Sequence, residues 1–342
     1  MRWLPDVMDE EVRGLLKLLA VFAVVLALSI AATGMSIQKS SAQQDATVLD
    51  ACEPEEQEID AADLPEVVES ERCPVEGRLI VDGAVKSVVP PPGKGVYAEM
   101  LTTSGAQELD VARRADGTLE LEHVGDDADE SVARTRTVNG PGECKDPVYK
   151  NNSWRVTSEL HYRFNVSTTP REIRRVQAVR AVRRAGAGVV NTRNTCHLGD
   201  QVPAVLAYDG FTSRVANIQG GSCLKSDGES VVSFGYLPKA LALTCTYFKL
   251  NPSGYNEVGS SDVKINRAHF KWTTRPRARS CKHAWDLQSV LTHERGHTFG
   301  LGHVREYYHG RLTMSPVING PCQKSERTLG KGDVLGLEGK YP

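Results

Sequence analysis

The sequence predicts an α+β fold for residues 143–342, preceded by a small β-rich region at 73–142. In the longer part, strand-like alternation is followed by one helical segment, several strand signals and two further helices, an order typical of α+β domains. In the shorter part, two alternating segments flank the turn signal Asp116-Gly117 and predict a β-hairpin over 108–124. The sequence Asn-Gly-Pro-Gly at 139–142 marks the linker between the two parts.

The N-terminus carries an export signal. An uncharged apolar run at 18–35 follows Arg13 and Lys17, and the small residues at 40–42 suit a cleavage site. The run is also just long enough to cross a bilayer, so residues 1–42 are interpreted as a signal peptide or an N-terminal anchor. Both alternatives predict an extracellular protein, either secreted or tethered to the membrane by residues 18–35.

Composition restricts the classes of function. A net charge of -2 gives no argument for nucleic acid or an anionic membrane surface, and we expect no nucleic-acid partner. The eight cysteines lack C-x-x-C spacing, so in an exported chain they predict up to four disulfides. Residues 43–72 are strongly acidic, with few aromatics, and are expected to be disordered. Residues 73–142 are expected to be a propeptide or an accessory domain.

Periodicity and capping signals place the elements of residues 143–342. Alternation at 154–166 predicts a strand, and Thr168-Thr169-Pro170 starts a helix that should run to about Ala185. Arginines line this helix and could bind an anionic polymer, although a solvated face is the preferred interpretation. Further strands are expected at 205–208, 230–237, 241–248 and 262–265, and helices at 286–299 and 329–337.

The segment THERGHTFGLGHV at 292–304 carries the chemistry. His293 and His297 are four residues apart, so on a helix they project from one face. Gly300 permits the left-handed backbone that ends a helix, and the chain can then return with His303 as a third nitrogen ligand. Three protein ligands and one open position are the arrangement of a catalytic zinc site.

Glu294, next to the first histidine, can reach a water rather than the metal. Zinc lowers the pKa of its water to about 7, so Glu294 could act as the general base in peptide hydrolysis. The extended spacing H-E-x-x-H-x-x-G-x-x-H is far more specific than H-E-x-x-H alone. Met314, in the segment LTMSP, is expected to form an apolar floor below the metal. These features predict a zinc metalloendopeptidase with one catalytic ion.

With these motifs the chain resembles the metzincin zinc peptidases, and among them the matrixin (matrix metalloproteinase) branch. Three segments carry the resemblance: HERGHTFGLGH at 293–303, TMSP at 313–316 and GDVLGLEGKYP at 332–342. Pro316 stands where astacin-like and serralysin-like relatives have a tyrosine. The resemblance is strong over 281–342, weaker over 154–166 and the following helix, and absent before about residue 140.

The resemblance implies a twisted mixed sheet with an active-site helix and a small C-terminal lobe, in which Asp333 would support the methionine turn. It also implies that a protein or peptide substrate lies antiparallel to an edge strand, here 241–248. Leu243 and Cys245 would then contact the substrate, and Pro316, Val317 and Ile318 would form the wall of the S1′ pocket. We expect no propeller-type docking domain after the terminal helix.

The chain also departs from the matrixin pattern. No histidine cluster for a second, structural zinc is visible, and disulfides could replace it. Cys73 and Cys144 are only faintly similar to the latency cysteine of matrixin propeptides, so disulfide pairing is preferred for both. A Ca²⁺ site near Asp227-Gly228-Glu229 is possible, but a surface turn is favoured. The hypothetical pairings are Cys281–Cys322, Cys196–Cys223, Cys144–Cys245 and Cys52–Cys73.

An exported zinc-binding module, which uses the same cleft for adhesion without turnover, is the alternative function. Glu294 argues against it, because this residue serves catalysis far more than metal affinity. A membrane partner is expected only through an uncleaved segment 18–35.

Overall fold

The computed structural model describes residues 52, 57–69, 73–124, 140–200 and 202–342. The expected export signal at 1–42 and part of the acidic segment lie outside these residues. From Cys52 onward the chain forms a single compact unit. Among the described residues, no helix has the length and apolar character needed to cross a membrane.

Strands dominate both parts of the unit. In chain order they are β1 (Glu58–Asp60), β2 (Val67–Val68), β3 (Leu79–Asp82), β4 (Val85–Val88), β5 (Lys94–Leu101), β6 (Ala106–Arg113), β7 (Leu119–Val124), β8 (Lys150–Asn151), β9 (Trp154–Arg155), β10 (Glu159–Phe164), β11 (Val205–Phe211), β12 (Ile218–Gln219), β13 (Ser222–Cys223), β14 (Val231–Gly235), β15 (Ala242–Lys249), β16 (Asn256–Asn266), β17 (Lys271–Thr273), β18 (Ala284–Asp286) and β19 (Leu301–Gly302).

The described helices are few. They are α1 (Arg175–Val190), α2 (Leu287–Thr298), α3 (Glu306–His309) and α4 (Lys331–Lys340), with 3₁₀ turns at Ala61–Asp63, Val166–Thr168 and Ser325–Arg327.

One large sheet runs through both parts of the chain. Its order is β11-β10-β14-β16-β15-β5-β6-β7-β2, and β9 pairs with β16 beside this path. Pairing is parallel from β11 to β16 and antiparallel from β16 onward. A mixed sheet with few helices is compatible with a metzincin-like fold. The N-terminal strands therefore continue the sheet of residues 143–342 instead of forming a sheet of their own.

A second, smaller sheet also joins the two parts. Its order is β1-β3-β4-β13-β12, with β4 parallel to β13. The N-terminal strands thus pair with the rest of the chain at two places, where β5 lies beside β15 and β4 lies beside β13. The hairpin expected over 108–124 is confirmed, since β6 and β7 pair antiparallel with Glu108 opposite Val124.

Helices α1 and α2 bury their apolar side chains against the large sheet. Their residues Ala181, Val182, Leu287 and Val290 share one buried cluster with sheet residues such as Phe234. A second cluster packs Met314, Phe299 and Leu337 below the end of α2. This burial holds α2 firmly between the sheet and the C-terminal segment.

Local interactions set both ends of α2, which was expected at 286–299. Asp286 caps the first turn by accepting a hydrogen bond from Ser289 N at 3.1 Å. Two guanidinium nitrogens of Arg327 donate to the same carboxylate, each at 2.6 Å. At the other end Gly300 has φ +84°, and a Cβ there would lie 2.1 Å from the carbonyl oxygen of Trp154. Only glycine suits this turn.

Other elements differ from expectation. Helix α1 begins at Arg175 instead of near Thr168, because residues 166–168 form a 3₁₀ turn in which the Thr168 hydroxyl bonds to Asn165 O at 2.6 Å. The run 154–166 contains two strands, since β9 pairs with β16 whereas β10 pairs with β11 and β14. The final helix spans Lys331–Lys340 rather than 329–337.

Four disulfides use all eight cysteines: Cys52–Cys73, Cys144–Cys196, Cys223–Cys245 and Cys281–Cys322. The expected pairs Cys196–Cys223 and Cys144–Cys245 are wrong. The turn after α1 brings Cys196 to Cys144, where Thr195 also bonds to Glu143 at 2.7 Å. Strand β13 brings Cys223 to Cys245, where the Tyr247 hydroxyl donates to Leu224 O at 2.7 Å.

Candidate metal centre

Three histidine nitrogens converge at one point. His293 and His297 lie one turn apart on α2, and the chain turns at Gly300 and runs through β19 to bring His303 to them. The three Nε2 atoms are 3.0–3.2 Å from one another. Nitrogens bound to one tetrahedral zinc at about 2.0–2.1 Å lie about 3.3–3.4 Å apart, so the spacing suits a shared ion.

The second nitrogen of each ring is held by a protein acceptor. His293 Nδ1 lies 2.7 Å from Thr313 O, and His297 Nδ1 lies 3.0 Å from Leu301 O. His303 Nδ1 pairs with the carboxylate of Glu108. An acceptor at Nδ1 places the ring proton there and leaves the Nε2 lone pair free for a metal.

Burial favours the neutral, ligating form of the rings on α2. Burial and then the neighbouring His303 lower the pKa of His293 to about 3. Burial and then His303 also hold the pKa of His297 well below its ordinary value. Neutral imidazole is the form that coordinates a metal.

Glu294 lies beside the histidines, fully buried on α2. One carboxylate oxygen accepts from the Thr244 hydroxyl on β15, whereas Oε1 receives no N–H or hydroxyl donor, and the carboxyl group also contacts that of Glu99. Burial raises the pKa of Glu294 to about 7. A carboxylate with one positioned oxygen and one open oxygen, close to a metal, can accept and return a proton.

The segment around Met314 forms the floor of the centre. Asp333 accepts from Thr313 N at 2.9 Å, from Met314 N at 3.2 Å and from Gly330 N at 2.8 Å. Met314 is buried below α2, so closely that a Cβ on Gly296 would lie 2.3 Å from its sulfur. This packing fixes the position of Met314 against α2.

Glu99 on β5 and Glu108 on β6 complete the centre, and sequence reasoning missed both. Among the described residues, Glu99, His293, His297 and His303 form a group whose ligand atoms lie within 4.8 Å of one another. Burial raises the pKa of Glu99 well above its ordinary value, and Glu294 raises it further. Burial acts to raise the pKa of Glu108, but His303, His297 and Lys150 together outweigh burial and hold that pKa well below the usual range.

A signal for Glu99 was present in the sequence. It is the single charged residue within GVYAEML, the apolar run at 95–101. A lone carboxylate in a strand that is otherwise apolar is buried only with a partner. The lone carboxylate of this run therefore indicated a buried partner for Glu99.

The expected substrate-binding residues occupy different environments. Leu243 is fully buried on β15, and Cys245 is bonded to Cys223, so neither side chain is open to a ligand. Ile318 is buried in the main core, and Pro316 and Val317 are partly exposed. The expected edge strand is not an edge, because β5 pairs with β15 along its whole length.

The turn considered for Ca²⁺ is engaged by arginines instead. Asp227 lies 3.8 Å from Arg214, and Glu229 lies 3.1 Å from Arg163 and 3.4 Å from Arg214. These ion pairs give the turn the character of a surface salt-bridge network.

Comparison with known proteins adds one finding. The family model described as Matrixin matches residues 248–342, which contain α2, His303 and Met314. No curated protein matches the chain. Matrixins use zinc, and the cluster of three histidines and Glu99 could hold that ion. The partial match and the cluster together support, in general terms, a zinc metallopeptidase that acts on peptide or protein substrates.

Proposed function

We propose that the chain is a secreted zinc-dependent endopeptidase, in which His293, His297 and His303 hold the ion and Glu294 is the general base. The observation that carries the proposal is the convergence of three histidine Nε2 atoms, 3.0–3.2 Å apart, beside a buried carboxylate. The charges of the site also favour binding of a cation such as zinc. Three carboxyl groups, those of Glu99, Glu108 and Glu294, lie in one buried site. A divalent cation offsets a concentration of negative charge that burial would otherwise make unfavourable.

When bound, zinc would lower the pKa of a water to about 7 and polarise the scissile carbonyl. Glu294 takes a proton from the attacking water at Oε1, while the Thr244 hydroxyl fixes its other oxygen. The water oxygen joins the carbonyl carbon, the C–N bond breaks, and Glu294 returns the proton to the leaving nitrogen. Thr313 O and Leu301 O keep the rings of His293 and His297 in the required tautomer.

Secretion is part of the proposal and has separate support. Four disulfides are consistent with an extracellular protein. The apolar run at 18–35 supports export at the level of sequence.

Glu99 favours a second candidate function. With this carboxylate the cluster offers four protein ligands, and closed sites of four ligands are typical of structural zinc. In that case the chain would be an exported zinc-binding module without turnover.

The test compares the full chain with its Glu294→Gln variant on a library of quenched peptides. Both carry the recognition sequence of a specific protease, inserted within residues 125–139, and both are assayed before and after the cut. We expect cleavage by the wild type that disappears with a zinc chelator and returns with zinc. Loss of the general base should lower kcat/KM about 10²- to 10⁴-fold, with zinc content unchanged.

Peptide cleavage by the zinc-loaded protein separates the two candidates. A wild type that binds zinc stoichiometrically but cuts no peptide, before or after the cut, would favour the binding module. Cleavage that is insensitive to both the chelator and the Glu294→Gln change would assign the activity to a contaminant.

A further inference from the structure

Strand β5 occupies the cleft edge where a substrate is expected. It pairs antiparallel with β15 over eight residues, from Leu101 opposite Ala242 to Lys94 opposite Lys249. Strand addition to a sheet edge is a general mode of peptide recognition, and an internal strand that uses the edge excludes an external one. The N-terminal part of the chain is thus bound in the manner expected of a peptide substrate.

The register brings one carboxylate of this strand to the metal centre. Glu99 lies opposite Thr244, the residue that bonds to Glu294, so its side chain shares that face of the sheet. Tyr97, two residues away on the same face, places its hydroxyl 3.4 Å from His297 Nδ1. Glu99 Oε1 lies 3.8 Å from His303 Nε2.

The neighbours of Glu99 on the strands and on α2 include two other carboxyl groups, those of Glu108 and Glu294. The Glu99 side chain is fully buried, and among the described residues its carboxyl group is in hydrogen-bond contact with that of Glu294 but receives no N–H or hydroxyl donor. On β6, Glu108 lies directly opposite Glu99. Like charges at such positions are destabilising, and a cation between these carboxylates and Glu294 would offset the repulsion.

We infer that Glu99 is the fourth ligand of the zinc ion in the intact chain, and that β5 thereby keeps the peptidase latent. The inference rests on the proposed function, since latency requires an activity to suppress. The carboxylate takes the position next to Glu294 that the attacking water needs. A strand bound like a substrate therefore escapes cleavage by the site that it occupies.

The disulfide pattern makes this strand removable. Cys52–Cys73 lies within the N-terminal part, and the other three bridges lie within residues 144–322. Because all eight cysteines are paired in this way, no disulfide joins residues 52–124 to residues 140–342. One cut within 125–139 ends every covalent link between the inhibitory strand and the metal centre.

Glu108 and Tyr97 reinforce the closed state. Glu108 pairs with His303 Nδ1, and the Tyr97 hydroxyl donates to Glu108 at 2.8 Å. Both residues belong to the same N-terminal strands as Glu99. Departure of β5 and β6 thus removes a metal ligand and the orienting partner of His303 together.

The test uses the full chain loaded with Co²⁺, whose visible spectrum reports the ligand set without a substrate. We expect the spectra of Glu99→Gln and Glu99→Ala to differ from that of the wild type, and the spectrum of Glu122→Gln to match it. Glu122 is the matched control because it lies exposed on β7. Loss of an outer partner lowers metal affinity about 10- to 100-fold, so loss of this ligand should weaken zinc binding at least tenfold.

The outcome that overturns the inference is a folded, cobalt-loaded Glu99→Ala protein with the spectrum and zinc affinity of the wild type. Circular dichroism checks the fold of each variant, and the isosteric Glu99→Gln serves if Glu99→Ala fails to fold. Glu99→Asp keeps the carboxylate and should recover part of the affinity.

Self-cleavage distinguishes this inference from the proposed function. With water admitted beside Glu294, the intact Glu99→Ala chain should cut its own β5 near residue 99, detected by mass spectrometry. The double variant Glu99→Ala/Glu294→Gln should stay whole. A second outcome is a changed cobalt spectrum in Glu99→Ala with no cleavage by any variant, including after a cut within 125–139. That outcome would support Glu99 as a metal ligand and refute both the latency and the peptidase activity.

Discussion

The two sides of the metal centre are built in different ways. On one side, α2 and the turn after it supply three histidines and Glu294 from eleven consecutive residues, 293–303. On the other side, β5 and β6 supply Glu99 and Glu108 from strands almost 200 residues earlier in the chain. The helix side is oriented mainly by backbone carbonyl groups, and the strand side contributes carboxylates.

This difference shows that a local motif can determine which residues bind the metal without determining whether the fourth position of the site is open. The spacing of residues on one helix and one turn determines which nitrogens converge. Whether a fourth position is open depends on which strand pairs with β15, and this pairing joins residues far apart in sequence. The first property is local, and the second belongs to the tertiary structure.

The largest expected effect tests the helix side. His297→Ala removes one of three nitrogens, and with about 10–16 kcal/mol of binding free energy shared among four ligands it should weaken zinc binding on the order of 10²- to 10³-fold. Competition with a chromogenic chelator measures the change. His161→Ala is the control, because His161 is exposed and pairs with Asp209 at 2.9 Å, away from the centre. Equal zinc affinity in both variants would contradict the assignment of His297.

Much of the helix side could be predicted from sequence. The motif predicts the positions of Glu294 and the three histidines because helical geometry at i and i+4 does not depend on distant residues. Asp286 at the start of α2 and Gly300 at its end are local signals of the same kind. The support of Met314 by Asp333 came from the resemblance, and the structure contains those hydrogen bonds.

The strand side could not be predicted in the same way. The hairpin of β6 and β7 follows from its turn, but neither turn chemistry nor alternation states which edge β5 joins. The expectation that 241–248 is an edge strand failed for this reason. Two disulfide pairings failed similarly, because Cys223 lies on β13, whose position beside β4 is a feature of the tertiary structure.

The next effect in size tests the strand side and depends on the integrity of the chain. Glu108→Gln removes the carboxylate that orients His303, and loss of such an outer partner should lower zinc affinity about 10- to 100-fold. We expect the effect in the intact chain, measured by zinc competition. After a cut within 125–139 and removal of the N-terminal fragment, wild type and variant should bind zinc equally. The isolated C-terminal part does not contain residue 108. A difference in zinc affinity that persists there would show that Glu108→Gln changes how that part folds.

The smallest effects compare glycines on the two long helices. A methyl group on Gly296 would lie 2.3 Å from Met314 Sδ, so Gly296→Ala should destabilise the fold by about 1–3 kcal/mol despite the better helix propensity of alanine. On α1, a Cβ on Gly188 has only ordinary contacts, the nearest at 3.8 Å. Gly188→Ala should therefore stabilise the protein by about 0.5–1 kcal/mol. Urea unfolding of both variants measures the difference, and stabilisation by Gly296→Ala would mean that Met314 does not form a rigid floor below α2.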